Sequence, residues 1–148
     1  MKFKITSKGK ESAEKKKEEN IKKGRRSKRK GSSYERDIAS RFKEVYKEDL
    51  VRTPQSGGFA KKSVKADGFR GDIVLSSDKE FLLHIECKNT RTWALPKWIE
   101  QAENDCPEGK KPVIIFHRHN TSKNYVTMSL EDFFSLVPKN LIIKEQDK

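Results

Sequence analysis

Cysteine is nearly absent from this chain of 148 residues. Its two copies, Cys87 and Cys106, are too few and too far from any ligand spacing to build a zinc site or a disulfide framework, so a reducing, cytoplasmic setting is expected. Long apolar runs are missing too. No stretch approaches the roughly 20 apolar residues that a membrane helix needs, and Met1-Lys2-Phe3-Lys4-Ile5 has no apolar core of secretory length. No internal repeat is visible. Acidic residues are outnumbered, 22 against 34 Lys or Arg, which gives a formal net charge of +12 and a pI near 9.7.

The excess charge is concentrated at one end. The first thirty residues hold fourteen Lys or Arg against four acids, and the remaining 118 hold twenty against eighteen. Large apolar side chains are almost missing from Ser7 to Lys30. Such a segment cannot bury enough surface to offset its ordering entropy, so residues 1–30 are expected to be a flexible basic arm that is disordered when free. Within it Arg25, Arg26, Lys28, Arg29 and Lys30 would grip phosphates with strongly salt-dependent affinity. A solubilising tail or an address signal has the same composition.

About 118 residues are left to fold, enough for one modest core. A helix is expected from Lys30 to about Tyr46, with Ile38, Phe42, Val45 and Tyr46 as its apolar stripe and Glu35 in its first turn. Ser32-Ser33-Tyr34-Glu35 also reads as a capping box, with Glu35 reaching back to the cap N–H. A strand follows at Asp49 to Thr53, then a turn-rich loop at Pro54 to Gly58. Gly71 to Leu75 and Phe81 to Lys88 form a hairpin about Ser76 to Lys79. Pro96 starts a helix carrying Trp98, Ile99, Ala102 and Cys106, which Pro107 and Gly109 end. Val113 to His117 is a buried strand, Tyr125 to Met128 the last one, and Ser129 caps a short helix, Leu130 to Leu136. The folded domain would span residues 31–137, with a C-terminal tail at 138–148.

Side chains alternate along a strand, so Phe81, Leu83, Ile85 and Cys87 point one way while Glu86 and Lys88 share the other face. The hairpin brings Asp72 across to them. Hard oxygen ligands at that separation suit Mg²⁺, with Mn²⁺ able to substitute. With a lysine beside them, hydrolysis of a phosphodiester is the natural chemistry. A carboxylate followed two residues later by lysine is also common at the solvated end of a strand.

Gly71-Asp72 with Glu86-Cys87-Lys88 resembles the PD-(D/E)xK nuclease motif, with glycine where that motif has proline. The order of glycine-serine-glutamate helix, arginine strand, serine-glycine loop, Gly-Asp strand and Glu-x-Lys strand is similar to the archaeal-type Holliday junction resolvases over about Lys30 to Lys88. The resemblance implies an α/β fold of restriction-endonuclease type with a central mixed five-stranded sheet flanked by helices. It also implies a Mg²⁺-dependent endonuclease acting on four-way DNA junctions as a homodimer, leaving a 5′-phosphate and a 3′-hydroxyl. It assigns Glu35, Ser56, Asp72, Glu86 and Lys88 to the active site, and makes Asp72, Glu86, the Cys87 carbonyl and Glu35 the metal ligands. Ser56 is otherwise ordinary turn chemistry.

Arg52 corresponds to a basic residue on the strand before the loop. Lys61, Lys62, Lys65 and Arg70 make the segment between loop and hairpin long and basic, a departure from the family pattern that bears on which DNA is preferred. Gln101, one turn beyond Lys97, is a further polar candidate. Trp93 and Trp98 fit core sealing better than base stacking. His117 and His119 form an H-x-H pair without a third ligand nearby, and His84 fills a half-polar strand face. Two alternatives share this sequence: another nuclease of the superfamily, of restriction or repair type, or a non-catalytic basic nucleic-acid binder.

Overall fold

A computed structural model of the chain describes residues 7–53, 71–77, 79–118 and 120–138. Three helices and five strands follow in the order α1 (Ser7–Tyr46), β1 (Leu50–Arg52), β2 (Ile73–Leu75), β3 (Leu83–Lys88), α2 (Leu95–Asp105), β4 (Lys111–His117), β5 (Asn124–Thr127) and α3 (Leu130–Leu136). The strands make one mixed sheet in sequential order. β2 runs antiparallel to both β1 and β3, β4 is parallel to β3 through the α2 crossover, and β5 returns antiparallel to β4.

Alternation on β3 sorts the two faces. Ile85, with Leu83 and Cys87, joins Ile73, Val113 and Ile115 beneath Tyr34, Ile38 and Ala39 of α1. On the opposite face Ile114 and Phe116 pack against Trp98 and Ala102 of α2. The sheet is therefore covered by a helix on each side, an α/β arrangement. Ser129 caps α3 as expected, its hydroxyl accepting from the Asp132 N–H at 3.1 Å.

The N-terminal arm departs from expectation. α1 is a single helix of 40 residues, so Arg25 to Lys30 are helical and Lys30 is not a helix start. Low apolar content argues against independent folding, but the arm does not have to nucleate. The turns from Tyr34 to Ala39 are already fixed by the core, and extending an existing helix is far easier than starting one. The arm sequence also favours extension, being rich in Lys, Glu and Arg and placing Glu18 and Glu19 four residues ahead of Lys22 and Lys23.

The same continuity removes the capping box, because Ser32 to Glu35 lie inside the helix, where backbone N–H groups already have partners. The apolar stripe ends early as well. Phe42 packs on the core, while Val45 and Tyr46 are exposed.

Candidate active site

β1 runs back along α1. Lys43 Nζ meets Asp49 Oδ1 at 2.6 Å near the helix C-terminus, and Arg52 Nε donates to Glu35 Oε2 about 12 Å nearer its N-terminus by helix rise. Thr53 N then donates to Asp72 O at 3.0 Å, and Asp72 N donates to Ile85 O at 2.7 Å. Glu35, Arg52, Asp72 and the end of β3 thus gather at one end of the sheet, the end from which the arm leaves.

Gly71 makes that junction possible. Its φ of +93° is one that side chains avoid, and a Cβ there would lie 3.0 Å from Ile85 O and 3.2 Å from His84 Nδ1. Where the nuclease motif carries proline, this backbone needs glycine. The turn aims the Asp72 carboxylate across the strand gap, where Oδ2 accepts the Cys87 N–H at 2.8 Å.

Glu86 and Lys88 share the face toward α2. Lys88 Nζ donates to Glu86 Oε2 at 2.9 Å and to Gln101 Oε1 at 2.8 Å, and Gln101 Nε2 donates to Glu86 Oε2 at 3.3 Å. The three side chains close a hydrogen-bonded triangle. His84 is fully buried on the same face, with Nε2 3.8 Å from Glu86 Oε1.

Electrostatically, Asp72 is the hub. Burial raises the Glu86 carboxyl above its ordinary pKa, the Asp72 charge adds to the rise, and Lys88 opposes it. Burial likewise raises Glu35, again with Asp72 adding and the Arg52 hydrogen bond opposing. The Cys87 thiol is pushed far up by burial, then by the charges of Asp72, Glu35 and Glu86. The Cys87 thiol packs on the α1 side of the sheet, away from Glu86 and Lys88, so the expected donors Asp72, Glu86 and the Cys87 carbonyl are all oxygens. Three acids against Lys88 and Arg52 leave negative charge in partly buried surroundings, which a divalent cation would offset.

The residues present fit such an ion. Among the described residues no group of three or more His, Cys, Asp and Glu side chains forms a metal cage. Two carboxylates, Asp72 and Glu86, with the Cys87 carbonyl are the expected Mg²⁺ pattern, since Mg²⁺ usually keeps several waters and takes one or two carboxylates plus a substrate phosphate.

A family model described as "Phage putative PDDEXK endonuclease" matches residues 26–146. The chain belongs to this family. No curated protein and no solved structure matches it. Membership in the PDDEXK endonuclease family supports nuclease activity, and PDDEXK nucleases usually use divalent metals. The match supports the PD-(D/E)xK nuclease superfamily and does not single out the junction-resolvase branch that the sequence resembles.

The structure brings Asp72, Glu86, Lys88 and Gln101 together, sets Glu35 beside them on Arg52, and leaves Cys87 with its backbone at the site and its thiol toward α1. Arg25, Arg26, Arg29 and Lys30 line a shallow hollow with Ser33 on the exposed part of α1, and Lys28 is exposed nearby. Arg52, expected on DNA, is paired with Glu35. Ser56, Lys61, Lys62, Lys65, Arg70 and His119 lie outside the described residues. His117 Nδ1 lies 3.3 Å from Asn124 Oδ1, an ordinary polar contact. Trp98 is buried as expected, but Trp93 is 54% exposed. The Arg52–Glu35 pair and the Gly71 turn were missed by sequence reasoning. The pairing of two chain-distant residues left no local signal, whereas a glycine directly before a motif aspartate was a usable one.

Among the described residues no helix is long and apolar enough to cross a membrane.

Proposed function

We propose that this chain is a Mg²⁺-dependent DNA endonuclease selective for branched DNA, with four-way junctions as its preferred substrate and a homodimer as its working form. The observation that carries the reading is the triangle of Glu86, Lys88 and Gln101 beside the Asp72 carboxylate in a PDDEXK endonuclease chain. Asp72, Glu86 and the Cys87 carbonyl would hold the cation, with Glu35 next to them. When bound, a divalent cation lowers the pKa of coordinated water and offsets charge on phosphoryl oxygen.

The remaining work falls to the side chains. An ammonium has three N–H donors, and Lys88 commits two of them to Glu86 and Gln101. The third is free to hold the attacking water in line with phosphorus or to donate to a non-bridging phosphate oxygen. Gln101 keeps the ammonium from rotating away. Arg52 holds Glu35 toward Asp72; as the family resemblance implies, water would displace the 3′ oxygen, which leaves with a proton as a 3′-hydroxyl while the phosphate stays on the 5′ side. The arm supports a DNA substrate, since residues 14–30 are exposed and leave the domain at the site end. Two symmetric cuts across a junction need two sites, which supports a two-fold dimer.

The test compares four-way junction, flap and linear duplex in Mg²⁺, using the parent, Asp72→Asn and Glu86→Gln. The reading expects junction cutting by the parent and none by either variant, with binding retained. Parental rates in either variant would remove the metal assignment, and equal cutting of linear duplex would assign the chain to the restriction or repair type. Melts with and without Mn²⁺ separate enzyme from simple binder, because at about 100 times its Kd a ligand stabilises by roughly 2.7 kcal/mol, and Asp72→Asn should erase the shift.

A further inference from the structure

Lys88 pairs in register with Phe116 of β4, so the catalytic-strand end and this aromatic ring share the α2 face. Phe116 is the centre of an aromatic group. Trp98 sits at 6.0 Å and Tyr125 stacks at 5.6 Å, while the indole of Trp93 meets it edge-on at 5.4 Å and 75°. Trp93 lies five residues past Lys88 on the bend that leads into α2, a bend braced by Thr90 Oγ1 donating to Thr92 O at 2.7 Å. The exposed Arg91 stands on the same bend.

The two tryptophans do different things. Trp98 is buried and fills the layer beneath α2. Trp93 is anchored through Phe116 yet open to water over more than half its surface, one ring away from the site. Sealing Phe116 does not require so large a ring left exposed. A solvent-facing indole backed by Phe116, with an exposed arginine on the same bend, has the chemistry that takes a nucleobase: the ring stacks on the base face and the arginine can reach for its phosphate.

We propose that Trp93 is a stacking platform for a base unstacked from its duplex next to the scissile phosphate, and that it sets the preference for branched over continuous DNA. The proposal rests on the nuclease reading of the adjacent site. A branch point supplies bases that are already partly unstacked, so the indole gains contact there without the opening penalty that intact duplex imposes.

The experiment uses the full chain in EDTA, so binding is read without cleavage, with a four-way junction and a linear duplex of matched sequence. Junction binding should quench tryptophan emission in the parent and not in Trp93→Phe, whose remaining indole, Trp98, is buried. Trp93→Ala should lose about 10-fold or more in junction affinity and little in duplex affinity, and Trp93→Phe should recover most of the loss. Loss of both affinities equally, no loss at all, or an unquenched parent would each overturn the proposal. Failure of the nuclease reading looks different: the parent would then cut none of the substrates in Mg²⁺ or Mn²⁺, whatever the binding measurements give.

Discussion

Replacing Lys88 with Met removes the ammonium but keeps the stem, and its effects follow from the surroundings of Glu86. The Lys88 and Glu86 side chains are only 15% and 10% exposed, at 2.9 Å. Removing one partner of a buried pair costs roughly 3–5 kcal/mol when the other stays charged. Here Gln101 Nε2 still donates to Glu86, and the carboxyl can take up a proton, so we expect about 2 kcal/mol at pH 8, the range of a hydrogen bond to a charged group. In a chain of this length that corresponds to a fall in Tm of roughly 4–8 °C.

The direction with pH is fixed. Burial, then Asp72, already raise the Glu86 pKa in the fold. A raised acid gives stability that is complete below its unfolded value and lost as pH climbs through the folded value. Lys88→Met raises it further, so the deficit against the parent should be largest at pH 8 and shrink toward pH 5. Adding Glu86→Gln should restore most of the lost Tm, because the buried charge is gone, while cleavage stays down by roughly 10²–10⁴-fold. Metal-free thermal melts at the two pH values, with cleavage measured in parallel, check all of this. A double variant no more stable than Lys88→Met, or a deficit independent of pH, would refute the reasoning.

Gly71→Ala should destabilise by about 1–3 kcal/mol and depress cleavage more than a surface substitution would, since the strained φ and the clash with Ile85 O displace Asp72; a denaturant melt near the parental midpoint would contradict this. Deleting Met1 to Arg29 should weaken DNA binding and flatten its salt dependence by about 0.9 log units per lost phosphate contact, read as the slope of log affinity against log salt. Gly31→Ala is sterically open, its Cβ meeting only Glu35 Oε1 at 3.7 Å, and should stabilise the helix by about 1 kcal/mol in a thermal melt. Gly31→Pro keeps every charge but breaks the helix between arm and site, so it should lower junction cleavage while leaving the salt slope near parental, as filter binding and cleavage assays would show.

Much of the architecture is legible in local pattern. The alternation from Phe81 to Lys88 puts Ile85 and Cys87 on one face and Glu86 and Lys88 on the other, as found, and the structure adds that α1 covers the first face and α2 the second. Pro96 and Pro107 bracket α2 to within two residues, and Ser129 with Asp132 marks the start of α3. What local pattern misreads is the arm, where composition speaks for disorder but a core-docked helix supplies the nucleus that the arm itself lacks. The Glu35 capping box fails for the same reason. At the site, strand periodicity brings Glu86 and Lys88 together, and Gln101 is a candidate because nucleases of the family that the chain resembles place polar groups on this helix. The Arg52–Glu35 pair and the exposure of Trp93 depend on how β1 and the bend before α2 meet the rest of the fold, which no window of sequence contains.

The continuity of α1 changes what the basic arm can do. A flexible arm raises the local concentration of DNA but transmits nothing about where the phosphate sits. A helix does transmit position. The stretch from Arg25 to Glu35 spans about 15 Å at the usual helical rise, so the cluster at Arg25, Arg26, Arg29 and Lys30 holds a fixed distance from the carboxylate that Arg52 turns toward Asp72. Residues 14–30 extend roughly 25 Å at that rise, approaching one turn of duplex. DNA held along that length would approach the Asp72–Glu86 end of the sheet from one side only, with Trp93 against Phe116 on the α2 face. Orientation of the cut would then follow from the rigidity of one helix and the placement of one indole, with no need for contacts that read base sequence.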